Sequence, residues 1–226
     1  MIYIMSDIHG GWNEYRDILE QIQFSDNDHL YMLGDAIDRG PDGIDVLLDI
    51  TARKNVTMLL GNHEKMMLDA LRNPDDDRLT RLWWNNGAAP TKKAFDELDK
   101  EKQEANLDFL SELPTELVIQ FGEQAYRLVH AAPAYLYETC NYKGWDEKTF
   151  YVWYRVDLRD KLREDEVLIF GHTPTFRFDY DLPVHIWHGT NRIGIDCGCG
   201  HGTGCRLGCL RLDDMKEFYT EVEVFR

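Results

Sequence analysis

Leu30-Tyr31-Met32-Leu33-Gly34-Asp35-Ala36-Ile37-Asp38-Arg39-Gly40 changes character in mid-run: four apolar residues give way at once to aspartate, arginine and glycine. A short apolar run with aromatic content reads as a strand buried on both faces, and the glycines behind it read as a turn. The same change occurs upstream, where Ile2-Tyr3-Ile4-Met5 precedes Ser6-Asp7-Ile8-His9-Gly10. It occurs downstream, where Val56-Thr57-Met58-Leu59-Leu60 precedes Gly61-Asn62-His63-Glu64. Two later examples are Leu128-Val129 before His130 and Val167-Leu168-Ile169-Phe170 before Gly171-His172-Thr173-Pro174.

Helical spacing separates these runs. Trp12 to Gln23 places Trp12, Tyr15, Ile18, Leu19 and Ile22 on one face, and Gly43 to Arg53 carries Ile44, Val46, Leu47, Leu48 and Ile50. Strands alternating with helices predict an α/β fold, in which ligand-binding groups gather in the loops beyond the carboxyl ends of the strands. Residues 65–114 read as helices and acidic loops, a mostly helical insertion within a single domain spanning 1–226. From Val184 onward the chain returns to strands: His185-Ile186-Trp187, Arg192 to Asp196, Cys205 to Leu212 and Phe218 to Val224 are expected as successive antiparallel members.

The formal charge is −16, with acidic clusters at Asp75 to Asp77, Asp96 to Glu104 and Asp213 to Glu223. That field opposes general nucleic-acid binding, whose affinity comes largely from Lys and Arg replacing counterions on phosphates. A small anionic substrate can still bind where metals and a few arginines reverse the sign locally. No apolar run approaches membrane-spanning length, and Met1 to Met5 leads directly into Ser6 and Asp7, so a cytoplasmic location without membrane contact is expected. Five cysteines, Cys140, Cys197, Cys199, Cys205 and Cys209, form an odd set that reads as reduced thiols.

The polar clusters read as metal ligands. Asp7 and His9 flank one residue, so on an extended backbone both point the same way and can meet one ion. Asp35 has two carboxylate oxygens and can bridge two ions, while Asn62, His130 and His172 supply donors from three other strand ends. Such a mixed set suits Mn²⁺, Fe or Zn²⁺ better than Ca²⁺. Two ions about 3.5–4 Å apart would hold a bridging hydroxide for in-line attack at phosphorus. Arg39 and Arg155 are candidates to clamp phosphoryl oxygens. His63 is placed to protonate the leaving oxygen, with Asp38 orienting its ring.

Asp7-Ile8-His9-Gly10, Gly34-Asp35 with Asp38-Arg39-Gly40, Gly61-Asn62-His63-Glu64, His130 and Gly171-His172 together resemble the phosphoprotein phosphatase family within the calcineurin-like metallophosphoesterases. The branch they resemble is the bacterial and phage-lambda type of serine/threonine protein phosphatase. Met66 to Ala70, Trp84 to Thr91, Trp153-Tyr154-Arg155 and Ile195-Asp196-Cys197-Gly198 extend the resemblance over nearly the whole chain. It implies two mixed β-sheets flanked by helices. It implies one ion held by Asp7, His9 and Asp35 and a second by Asp35, Asn62, His130 and His172. It places the phosphate clamp on Arg39 and Arg155 and the acid with its supporting carboxylate on His63 and Asp38. The implied cofactors are two divalent ions, Mn²⁺ first, with Fe or Zn²⁺ as alternatives. The implied substrates are phosphoserine and phosphothreonine, and also phosphotyrosine, in proteins or peptides, with small phosphate esters accepted in vitro. Three positions depart from the pattern: Ser6 where glycine is usual, Ala131-Ala132-Pro133 after His130, and Pro174 where broader relatives carry a second histidine.

Other readings compete. The same groups could hydrolyse a dinucleoside polyphosphate or another nucleotide, and an inactive binding or regulatory module could use the same fold. Cys197, Cys199, His201, Cys205 and Cys209 could bind zinc, although their spacing lacks paired Cys-x-x-Cys knuckles, which favours a glycine-rich turn with incidental thiols. His29, His185, His188 and His201 read as surface or core groups, Trp83 and Trp84 as packing, and Asp96 to Glu104 as a solvated helix face.

Overall fold

The computed structural model describes residues 1–140 and 143–222. Among them the strands are β1 (Ile2–Met5), β2 (His29–Met32), β3 (Val56–Met58), β4 (Glu116–Phe121), β5 (Gln124–Val129), β6 (Glu166–Phe170), β7 (Trp187–Gly189), β8 (Arg192–Gly194), β9 (Gly208–Arg211) and β10 (Lys216–Tyr219). The helices are α1 (Trp12–Gln21), α2 (Gly43–Ala52), α3 (Asn62–Arg72), α4 (Asp77–Asn85), α5 (Ala89–Asp96), α6 (Lys100–Glu112), α7 (Ala134–Cys140) and α8 (Glu147–Trp153). One sheet has the order β10-β9-β1-β2-β3 and the other β4-β5-β6-β8-β7. Both are mixed: β1, β2 and β3 run parallel, as do β5, β6 and β8, and the remaining pairs are antiparallel.

Alternation along the strands decides the layers, because successive side chains of a strand point to opposite faces. Ile4, Leu128, Ile169 and Leu210 meet in one buried cluster drawn from both sheets. Their neighbours Tyr3, Met5 and Cys209 pack instead with Tyr15 and Ile18 of α1 and Ile44, Leu47 and Ile50 of α2. Val129, Leu168 and Phe170 pack with Leu136 of α7 and Phe150 of α8. The result is a sandwich of two facing sheets with helices outside each. Burial on both faces explains why the strands read as continuous apolar runs rather than alternating ones.

Two expectations for the sheets are corrected. The tail is not one antiparallel run: β7 and β8 belong to the second sheet, with β8 parallel to β6, whereas β9 and β10 belong to the first. The glycine-rich loop between Gly194 and Gly208 carries the chain across, and the part of the last expected strand at Val224 lies outside the described residues. Strand β4 escaped the reading although its run Leu117-Val118-Ile119 is apolar, because no polar cluster of that kind follows it, and most of β5 escaped because Arg127 interrupts it. Arg127 pairs there with Glu116 and Glu166, both at 2.7 Å, which breaks the apolar run.

The ends of the parallel strands are level, since Met5 pairs with Met32, Met32 with Met58, and Val129 with Phe170. Five polar loops therefore leave one edge of the sandwich together. Glu64, fully buried on the first turn of α3, ties two of them. Its carboxylate accepts from the backbone N–H groups of Asp35 (2.8 Å), Ala36 (2.9 Å), Ile37 (3.4 Å) and Gly61 (3.1 Å). Gly61 has no alternative here, because a Cβ would lie 2.4 Å from the Asp35 backbone nitrogen. Glu64→Ala leaves those buried donors without an acceptor and is expected to lower stability by about 2–4 kcal/mol. Urea unfolding checks this: the midpoint should fall at constant slope, and an unchanged midpoint contradicts the role.

Candidate metal centre

A narrow cleft of about 60 Å³ opens at that edge. It is bounded by Asp7, His9, Asp35, Asn62, His63, His172 and Asp196, with the more exposed Arg39, Arg155 and His201 at its mouth. His130 is wholly buried and reaches the cleft from behind, its Nε2 2.9 Å from Asn62 Oδ1. The candidates from all five loops are thus brought together.

The local reason differs from the expected one at the first loop. Asp7 and His9 are not extended; their φ angles are 54° and 49°, in the left-handed region. The turn that follows β1 aims both side chains inward, while Ile8 between them enters the core. Their backbone is pinned to the second loop by Asp7 N–H donating to Gly34 O (3.1 Å) and His9 N–H donating to Asp35 O (3.0 Å).

Each imidazole is anchored by one nitrogen to a backbone carbonyl and turns the other toward the site. His9 Nδ1 donates to Ile37 O (3.2 Å), His130 Nδ1 to Leu33 O (2.6 Å) and His172 Nε2 to Trp153 O (3.1 Å). Such anchoring fixes the tautomer and leaves the opposite lone pair facing the site, as in metal-ligating histidines. Two tight groups of donor atoms result, His9 with Asp35 and His63, and Asp35 with His130 and His172. Asp35 belongs to both. Its Oδ2 lies 3.8 Å from His9 Nε2 and its Oδ1 3.4 Å from His130 Nε2. Asp7 Oδ1 lies 3.9 Å from His9 Nε2. Asp7 Oδ2 is occupied by the Ser6 hydroxyl and by His172 N–H.

Electrostatics match a site built for cations. Burial pushes His9 and His172 well below the usual imidazole range and lowers His130, which keeps them neutral and able to ligate. Burial, with Asp7 and Glu64 close and His63 opposing, pushes the Asp35 carboxyl well above its usual range. Asp196, buried beside Asp7, is raised for the same reasons. Buried carboxylates beside neutral imidazoles are short of positive charge, which divalent ions held among these donors would supply. The donor set therefore fits two such ions.

Around this centre, His63 Nδ1 lies 2.7 Å from Asp38 Oδ2, and its Nε2 faces the cleft 3.9 Å from Asp35 Oδ2. Arg155 Nη1 donates to His172 O (2.5 Å). Arg39 Nη1 donates to His201 Nε2 (2.6 Å), and its Nη2 lies 3.4 Å from His63 Nε2. Desolvation and the Arg39 charge push His201 down to about 4, so it accepts as a neutral ring.

Four contributors escaped the sequence reading. Glu64 lies inside a quoted motif without a role assigned to it. Asp196 lies inside another. Trp83 donates its indole N–H to both Asp38 oxygens (3.1 and 2.9 Å), which periodicity cannot reveal. His201, taken for a surface or core group, lies at the mouth; its place in a loop begun by Ile195-Asp196-Cys197-Gly198 was the available signal. The cysteines divide between layers, Cys197 and Cys205 between the sheets, Cys199 and Cys209 facing the helices. Among the described residues no cysteine joins a tight group of donor atoms.

Among the described residues no helix is long and apolar enough to cross a membrane. A symmetrical bis(5'-nucleosyl)-tetraphosphatase from Erwinia tasmaniensis is 40% identical over 86 residues, covering 35% of this chain and 31% of that protein. The match thus spans about a third of that curated relative's length. Among solved structures, a candidate diadenosine tetraphosphatase superposes with TM-score 0.65 at 19% identity, covering 97% of this chain and 92% of the other. A protein serine/threonine phosphatase from Saccharomyces cerevisiae gives TM-score 0.61 at 12% identity, covering 100% and 80%. The family described as calcineurin-like phosphoesterase matches residues 1–203. With that match and this centre, the chain belongs to the calcineurin-like phosphoesterases.

Proposed function

We propose that this chain is a metal-dependent phosphohydrolase that cleaves the polyphosphate bridge of a dinucleoside polyphosphate. The observation that carries the hydrolase reading is Asp35, shared by two buried donor groups beneath two arginines. The substrate class is supported by the name of the curated relative that shares the 86-residue stretch. It displaces protein phosphorylation sites as the first choice. Serine/threonine phosphatase activity stays as the second reading, supported by the phosphatase-like motifs through Trp153-Tyr154-Arg155.

When bound, two divalent ions, Mn²⁺ the first candidate, would supply Lewis-acid charge at the phosphoryl oxygens and lower the pKa of a bound water. The residues of the chain do the rest. Asp7, His9, Asp35, Asn62, His130 and His172 hold the charge in place. Arg39 and Arg155 at the mouth orient the phosphoryl oxygens and stabilise charge that grows there in the transition state. His63 is placed to pass a proton from Nε2 to the leaving oxygen, its ring oriented by the hydrogen bond from Nδ1 to Asp38. Trp83 fixes Asp38 from the other side.

The leaving group separates the two readings. A polyphosphate leaves as a weak base and needs little proton assistance, whereas a serine side chain leaves as a strong base and needs much. Metal-stripped protein reloaded with Mn²⁺ is expected to turn over diadenosine tetraphosphate faster than a phosphoserine peptide, by steady-state kinetics on both. The reverse preference removes the substrate assignment and restores the second reading. His63→Asn is expected to retain metal while losing about 10²-fold in turnover on the phosphopeptide and about tenfold on the tetraphosphate. Full activity of that variant on both substrates contradicts the proton-carrying role.

A further inference from the structure

The metal cleft, at about 60 Å³, has the volume of roughly two waters and admits a phosphoryl group but no nucleoside. A dinucleoside polyphosphate bound there must lay its bases elsewhere on the surface. Two pockets lie near the cleft. One, about 200 Å³, runs along Trp12, Pro41 and Gly200, but Glu14 and Asp42 line it and repel the phosphates that must lead into it. The other, about 410 Å³, is formed by Phe176, Arg177 and Tyr180.

The second pocket lies close to the phosphate clamp in sequence and in space. Pro174 lines the cleft two residues before Phe176, and the Phe176 ring stands edge-on to His201 at 6.4 Å. His201 in turn accepts from Arg39. The turn Thr175–Arg177 is rigidly placed: Thr175 N–H donates to Asp196 O (2.9 Å) and its hydroxyl to His185 O (2.6 Å). Tyr180 is 87% exposed, an aromatic face covered by nothing in the fold. Arg177 is exposed and, among the described residues, has no carboxylate within 4.0 Å; its charge is felt at Arg155. Of the two acidic residues flanking Tyr180, Asp179 is turned to His185 (3.9 Å) and accepts from the backbone N–H of Asp181, whose own side chain is exposed, and neither carboxylate lies within 4.0 Å of Arg177. On a chain of net charge −16, three arginines on one approach, Arg39, Arg155 and Arg177, mark a path for a polyanion.

Resting on the substrate reading above, we propose that Phe176, Arg177 and Tyr180 form the nucleoside subsite. Tyr180 stacks on the base, and Arg177 meets the phosphates between that base and the cleft. Stacking on an aromatic face tolerates any base, so the subsite selects for a nucleotide without selecting its identity.

The test is steady-state kinetics of wild type, Tyr180→Ala, Tyr180→Phe and Arg177→Ala with Mn²⁺, on diadenosine tetraphosphate and on p-nitrophenyl phosphate, which has no base to stack. In Tyr180→Ala the ratio of kcat/KM for the two substrates is expected to fall about tenfold, chiefly through KM for the tetraphosphate. Tyr180→Phe keeps the ring and should stay within about twofold of wild type, and Arg177→Ala should fall in the same direction as Tyr180→Ala. A ratio unchanged in Tyr180→Ala and Arg177→Ala overturns the subsite while leaving the substrate class intact. A wild type that hydrolyses phosphopeptides and ignores the tetraphosphate overturns the substrate class and the subsite together.

Discussion

Backbone turned left-handed at the strand ends is the constraint on which the site depends. Asp7, His9, Asp35, Asp38, Arg39 and His172 all have positive φ, from 49° to 70°. Residues with a Cβ avoid this region at a cost of roughly 1–2 kcal/mol each. The conformation persists because the surroundings over-determine it. Glu64 gathers the N–H groups of the second loop, Gly61 lets that loop approach, and ladder-like bonds tie the first loop to the second. The reward is convergence. A chain leaving a strand in this conformation turns sharply, and its next side chains face across the sheet edge rather than away from it.

The same packing sets the electrostatics. Three buried clusters close around the loops, so donors that would be solvated on a free loop are dry. Dryness keeps the histidines neutral and leaves Asp35 and Asp196 in want of positive charge. Cations bound there would be stabilised by buried carboxylates that make no ion pair with an arginine or lysine among the described residues. The two arginines of the site, Arg39 and Arg155, stand at its mouth, where they can meet an anion. A protein of net charge −16 thereby presents one locally cationic approach.

The candidate centre was legible because each candidate ligand lies just behind an apolar run, and runs buried on both faces are among the plainest local signals. Asp7, His9, Asp35, Asn62, His130 and His172 were all found this way, and the structure brings them to one cleft. What failed was anything fixed by partners distant in sequence. Most of strand β5 was hidden by Arg127, whose partners Glu116 and Glu166 only the fold brings to it. The tail divides between two sheets because the loop at Gly198 to Gly204 crosses the edge, and no periodicity records which sheet a strand joins. Trp83 reads as packing, and it is packed, yet its N–H also holds Asp38 from 45 residues away. His201 carries no pattern of its own; only the fold brings it to Arg39.

Sharing of Asp35 between two cations is the central claim, and anomalous diffraction from Mn²⁺-loaded crystals reads it directly. Two peaks about 3.5–4 Å apart, one beside each carboxylate oxygen of Asp35, are the expected result. A single peak, or peaks that leave Asp35 without a metal contact, would contradict it.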